Sequence, residues 1–397
     1  MILSNYFFDT NILSENSKNK LHKLKIDFNE NYVVNSNLKK LLDKMITSSV
    51  VELNVSAAAS PGAPYFKKLF IDFDKSFNNV IDSKFISDVI KMDLAYSINL
   101  KIFDDVIKIN FLLNSLEDSI GYIAPILHSL HTFCHAFTYS YHGLVINICL
   151  DNNYRDVEWN MDMPEVFDYL HKKSKAFNVS GVTQKLDRII NLTKKEEIIK
   201  LLYHEMIHFI GLDHELVGIN MNFGWRTVSL NVSEAYTEFM AIILYSAYIS
   251  IHLSSIFKLN IIDTYQKMLL TETKYSIYLT SNILKFYGYD ENTINDFFNS
   301  MRSKNDLVAN NKNYSPIFIW EYVILRTQLL LNVDHISDLF FRPILEPWRI
   351  DSATKNKILD LMRITDQTIE MIKFNMVHYE PIKNVSYAAI DLNWNLV

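Results

Sequence analysis

Between Ile198 and Ile210 the chain reads Ile-Ile-Lys-Leu-Leu-Tyr-His-Glu-Met-Ile-His-Phe-Ile: an apolar stretch with two histidines and a glutamate inside five positions. A helix that is apolar on more than one side must be buried against several neighbours. Thr193 and Glu196 have the spacing of a capping box for its start, and Gly211 can adopt the left-handed conformation that ends a helix, so a helix is expected over 194–210. A buried polar group without a partner costs roughly 2–7 kcal/mol. His204, Glu205 and His208 therefore need partners, and their spacing suggests one. Residues four apart project from the same helix face. Two imidazoles so placed can meet a single Zn²⁺ at about 2.0–2.1 Å each. Zinc lowers the pKa of a water it activates to about 7, and Glu205 lies beside the ligand axis, where it can take that proton and pass it to a leaving amine.

Catalytic zinc keeps three protein ligands and one open position, and the sequence offers two completions. The string from His204 to His214 fits H-E-x-x-H-x-x-G-x-x-H, with Gly211 turning the chain so that His214 reaches back and with Met221 as the methionine beneath the site. It departs from that pattern in having no Pro after Met221 and no Arg/Asp run after Glu215. The other candidate is Glu234. Residues 233–241 (SEAYTEFMA) read as the start of a second long helix, and Glu238 shares a face with Glu234.

These motifs resemble those of the zincin metallopeptidases. The extended string is similar to the metzincin motif: Leu212-Asp213-His214 resembles its matrix metallopeptidase version and His214-Glu215 its astacin version. The Glu234/Glu238 pair resembles the glutamate helix of gluzincins, in which the first glutamate ligates zinc and a residue one turn on supports a ligand. About 180 largely helical residues follow the motif, as in gluzincin C-terminal lobes, which tilts the choice toward Glu234. The block 178–240 also resembles uncharacterised predicted metallopeptidases of large DNA viruses. The resemblance implies a Zn²⁺ cofactor, a peptide or protein substrate, and an α+β zincin-like fold. That fold has a mixed-sheet N-terminal lobe (65–215) after an N-terminal segment and linker (1–64), a central metal helix, and a helical C-terminal lobe (216–397). A zincin also needs a donor for the developing oxyanion. Tyr236, Tyr322, Arg326, His335 and His378 are candidates; Tyr322 and Arg326, one turn apart in an expected helix at 317–331, rank first. The competing reading is a latent or non-catalytic structural protein on the same scaffold, such as a virion component. A closed metal site, or a cleft filled by residues such as 1–64, would mark it.

Other features set limits. With 49% hydrophobic and 21% charged residues the chain can build a large core, and a net charge of −6 with both signs scattered argues against a nucleic-acid partner. Only 8 glycines and many long apolar runs point to helices, at 37–47 and 122–137 among others. Residues 106–113 and 143–150 read as strands, the second either a central strand or the edge that aligns a substrate. Residues 55–64 read as a linker. His128, His131 and His135, beside Cys134, could form a second metal site, but without a closed ligand set a polar helix face is preferred. Two cysteines and no signal peptide point to an intracellular, cytoplasmic protein. Residues 239–257 carry no formal charge, yet their Ser, Tyr and His content favours a buried helix over a membrane span.

Overall fold

A computed structural model describes residues 13–24, 34–76, 83–151, 180–219, 232–286, 289–299, 319–340, 350–378 and 386–392. It is a mixed α+β fold, one mixed sheet accompanied by many helices. The front half runs α1 (Glu15–Leu24), α2 (Ser36–Ser49), β1 (Val55–Ala57), α3 (Ala63–Ser76), α4 (Ser83–Lys91), β2 (Leu94–Ile102), β3 (Asp105–Leu113), α5 (Glu117–Ala136), β4 (Val145–Cys149), β5 (Gly181–Gln184) and β6 (Ile189–Thr193). The back half is helical: α6 (Ile198–Ile210), α7 (Val232–Phe257), α8 (Ile261–Phe286), α9 (Ile294–Asn299), α10 (Ile319–Leu331), α11 (Val333–Phe340), α12 (Ser352–Leu361) and α13 (Asp366–His378).

The strands lie in the order β1-β2-β3-β4-β6-β5. Strands β3, β4 and β6 are parallel to one another, and β5 returns antiparallel to β6. The parallel strands are the near-continuous apolar ones, as expected where both faces are covered. On one face Ile109, Phe111, Ile146, Ile148, Ile190 and Leu192 join the main core. On the other, Leu112 and Cys149 pack with Phe66 and Phe70 of α3 and Val89 of α4. Segment 143–150 is thus a strand, but a central one; the described edge beyond β6 is β5. Within the expected linker 55–64, β1 adds to β2 as an exposed antiparallel edge. In the expected N-terminal segment, Asn35 caps α2, whose Leu38, Leu41, Leu42 and Met45 lie in the main core.

A row of amides crosses the second face of the sheet. Ser97, Asn110, Asn147 and Asn191 stand opposite one another on β2, β3, β4 and β6. Ser97 donates to Asn110 Oδ1 at 2.6 Å, Asn110 Nδ2 to Asn147 Oδ1 at 2.8 Å, and Asn147 Nδ2 to Asn191 Oδ1 at 2.9 Å. All four are buried. A slip of one residue would turn every amide to the other face, so the row fixes the strand register.

The helix that carries His204 and His208 begins later than the capping box implies. Thr193 ends β6, with its N–H and hydroxyl both donating to Ser180 O at 2.7 and 3.1 Å, so it is spent on strand pairing and cannot cap. Helix α6 starts at Ile198, after Glu197 in a left-handed conformation (φ 52°) with no side-chain cap. Helix α7 contains the whole uncharged run. By length and composition it could cross a membrane, but 72% of its most apolar window is buried inside the protein; it packs on α6, α8 and α10.

Replacing Asn147 with the similarly sized Leu should leave the buried Asn110 amide and Asn191 carbonyl without their partner. At about 1–3 kcal/mol for each orphaned group, unfolding free energy should fall by roughly 2–5 kcal/mol in urea titrations; a loss below 1 kcal/mol would show that the row does not hold the sheet.

Candidate metal centre

Two helices and one turn build the site. Helix α6 presents His204 and His208, and α7 crosses it so that Glu234, in its first turn, faces both. His204 Nε2 lies 3.1 Å from His208 Nε2 and 3.1 Å from Glu234 Oε2, and His208 Nε2 lies 3.4 Å from Glu234 Oε1. Donors at tetrahedral corners about 2.0–2.1 Å from a shared ion are about 3.3 Å apart. The three residues form the group of potential metal ligands found among the described residues. Their side chains are 11%, 19% and 23% exposed, so the cluster opens to solvent on one side.

The outer contacts explain the convergence. His204 Nδ1 is 2.8 Å from Glu238 Oε2, and His208 Nδ1 is 2.8 Å from Asp213 Oδ2. A carboxylate can only accept, so each Nδ1 carries the proton and each Nε2 keeps its lone pair. Two lone pairs and a carboxylate within 3.4 Å repel unless positive charge lies among them. Without a metal, protons supply it. Burial opposes charging His204, but its hydrogen bonds to Glu234 and Glu238 raise it to about 9. His208 rises well above the usual value, because Glu234 and Asp213 outweigh its burial. Burial likewise disfavours the Glu234 anion, yet His208 and His204 hold its carboxyl well below the normal range.

The second expected completion is not assembled. Gly211, at φ 76°, ends α6, with its N–H on Ile207 O and His208 O. The turn brings back Asp213, not His214. Asp213 is buried against His208, while His214 opens a short 3-10 turn (His214–Leu216) and is exposed. Met221 lies outside the described residues.

Glu205 faces the sheet. Its Oε2 is 2.8 Å from the Thr183 hydroxyl of β5, which also lies 2.9 Å from the Glu205 carbonyl. Burial raises its carboxyl above the ordinary value, against the pull of both histidines. Gly181 leaves room for it: a Cβ there would meet Glu205 Oε1 at 2.6 Å and Cγ at 2.9 Å. Sequence reasoning missed Gly181, Thr183 and Asp213, whose roles arise from folding alone.

The expected oxyanion donors are scattered. Arg326 is fully buried and committed: its NH1 donates to Glu238 Oε1 at 3.3 Å and Tyr387 O at 3.0 Å, and its Nε to Ser276. Tyr322 packs its ring against Tyr387 at 5.6 Å, in the same layer. Tyr236 is buried, and His335 and His378 are exposed. The histidines of α5 do not form a ligand set either. His128 bonds Tyr248 and Ser49 O, and the His131 and His135 rings meet at a tilt of 43° with centroids 4.3 Å apart. Cys134 and Cys149 are free and buried.

The chain is 41% identical over 392 residues to the uncharacterized protein R210 of Acanthamoeba polyphaga mimivirus, covering 97% of this chain and 98% of the relative. It belongs to the family of that viral protein. No protein-family profile and no solved structure matches it.

Gly181→Ala should force Glu205 or β5 to move, because Cγ as well as Oε1 is struck and rotating the carboxylate alone does not clear the contact. Overpacking of this kind costs about 1–3 kcal/mol; an unchanged denaturation midpoint would contradict the close approach.

Proposed function

We propose that the protein is a zinc-dependent metallopeptidase of gluzincin type, with His204, His208 and Glu234 as metal ligands and Glu205 as general base. The observation that carries this reading is the convergence of two Nε2 lone pairs and one carboxylate at tetrahedral spacing on a partly open face. Each imidazole is oriented by its own buried carboxylate, as metal-binding histidines usually are. The α+β layout fits a zincin-like arrangement, with the metal helix running beside the edge strand of a mixed sheet. An intracellular, reducing setting belongs to the proposal and agrees with two free thiols.

Zinc, when bound, would polarise a carbonyl and bring the pKa of an attacking water near neutrality. The chain's own residues do the rest. Glu205 takes the proton from the water and delivers it to the leaving amine. Its raised pKa suits both steps, because a base poised nearer neutral pH can also act as an acid. Thr183 fixes the carboxylate by one hydrogen bond, and Gly181 admits it close to the strand.

Peptide, rather than a small ester or amide, is favoured by β5. The bond from Thr193 N to Ser180 O means that Ser180, Val182 and Gln184 occupy the pairs bonded to β6. The N–H and C=O groups of Gly181 and Thr183 then point to the other side, where no described strand pairs with them. An extended peptide adding there would pass Glu205.

Glu205→Gln should still bind one zinc while losing about 10²- to 10⁴-fold in peptide-cleavage rate; full activity in this variant would refute the mechanism. Zinc content should vanish in Glu234→Ala and persist in His214→Ala, and the reverse pattern would transfer the third ligand to His214.

A further inference from the structure

The carboxylate that orients His204 is itself held from behind. Glu238 is buried, with Oε2 accepting from His204 Nδ1 and Oε1 facing two cations. Lys200 Nζ donates to it at 2.6 Å from one turn earlier on α6, and Arg326 NH1 at 3.3 Å from α10. Both cations are almost wholly inaccessible to solvent. Burial alone would push the Glu238 carboxyl upward, but Lys200, His204 and Arg326 hold it far below the ordinary carboxylate range.

The same two cations meet in one residue near the C-terminus. Tyr387 O accepts from Arg326 NH1 at 3.0 Å, and the Tyr387 ring lies 5.2 Å from Lys200 Nζ, within cation–π range. Its segment is gripped along its length by buried side chains. Glu197 accepts from Ala388 N at 3.1 Å, and Glu272 from Ala389 N and Ile390 N. Lys20 donates to Ala388 O, Tyr275 to Ser386 O and Tyr245 to Ile390 O. Residues 386–392 thus run through the interior as a bent strap held mainly by side chains.

We propose that Lys200, Arg326 and the strap segment carrying Tyr387 are positioning residues of the metal centre: they lock the Glu238 carboxylate, and through it the His204 imidazole, in ligating geometry. A carboxylate held by one neutral donor would be free to rotate; two cations on Oε1 leave Oε2 fixed on Nδ1. The ligand set is therefore completed only when residues 386–392 have docked, which couples metal capture to the seating of that segment. The inference rests on the metal reading above.

The test is zinc affinity of the full chain by competition with a chelator of known affinity, with the ligand-field spectrum of the Co²⁺ form as a second readout. Arg326→Met should weaken zinc binding by up to about 10-fold, the low end of the effect of removing a metal-binding histidine's own outer partner, because Arg326 acts through Glu238, and should alter the Co²⁺ bands. Arg326→Lys should recover most of the affinity. In a Glu238→Gln background, where no anion remains to be fixed, Arg326→Met should cost less than threefold. In that double variant the Glu238 charge is removed together with that of Arg326, and Lys200 keeps Glu197 at 3.7 Å, so it remains measurable if Arg326→Met alone does not fold. Equal affinity of Arg326→Met and the unaltered chain, or the same loss in both backgrounds, would overturn the positioning role and leave the metal reading intact. Failure of the unaltered chain to bind zinc would overturn both.

Discussion

Two imidazoles and a carboxylate facing one another inside an apolar helix pair repel unless something positive lies between them, and much of this fold serves to keep them there. His204 and His208 are each held at Nδ1 by a buried carboxylate, Glu238 and Asp213. These bonds settle which nitrogen carries the proton, and so point both Nε2 lone pairs at Glu234. Remove the outer carboxylates and the rings could turn, the tautomers could exchange, and the convergence would be lost. The site is thus set less by its three inner groups than by the layer behind them.

That layer recruits distant parts of the chain. Glu238 depends on Lys200 and Arg326, and Arg326 in turn on the carbonyl of Tyr387, close to the C-terminus. Asp213 depends on Gly211, whose left-handed turn lets the chain double back within three residues. The chain is short of glycine and places non-glycine residues, Glu197 and Arg188 among them, in the left-handed region elsewhere. At 211 and 181 it keeps glycine: the first needs the turn, the second the space filled by Glu205.

Around Glu205, the sheet supplies what the helices cannot. The amide row from Ser97 to Asn191 fixes the register of β2, β3, β4 and β6. Through β6 it fixes β5, whose Thr183 touches Glu205. A change of one residue in that register would aim Thr183 away from α6 and put Val182 or Gln184 in its place. Sheet register and the orientation of Glu205 are therefore linked through a single strand.

Sequence alone determined the inner parts of the candidate site. Helical spacing puts His204 and His208 on one face whatever surrounds them, and Glu234 with Glu238 four apart on the next helix offers a second face of matched carboxylates. The apolar runs at 106–113, 143–150 and 239–257 likewise had to be buried elements, because no other state hides so much apolar surface. Tertiary structure decided the rest. It set Glu234 rather than His214 beside the two histidines, because the turn at Gly211 returns Asp213 to His208 and sends His214 to solvent. It took Thr193 from a helix cap into a sheet, made 143–150 a central strand, and moved Arg326 from an expected oxyanion donor to a support for Glu238. Each of these depends on which strand, helix or turn lies alongside, and local spacing carries no record of such a neighbour, least of all one 88 residues away, as Glu238 is from Arg326.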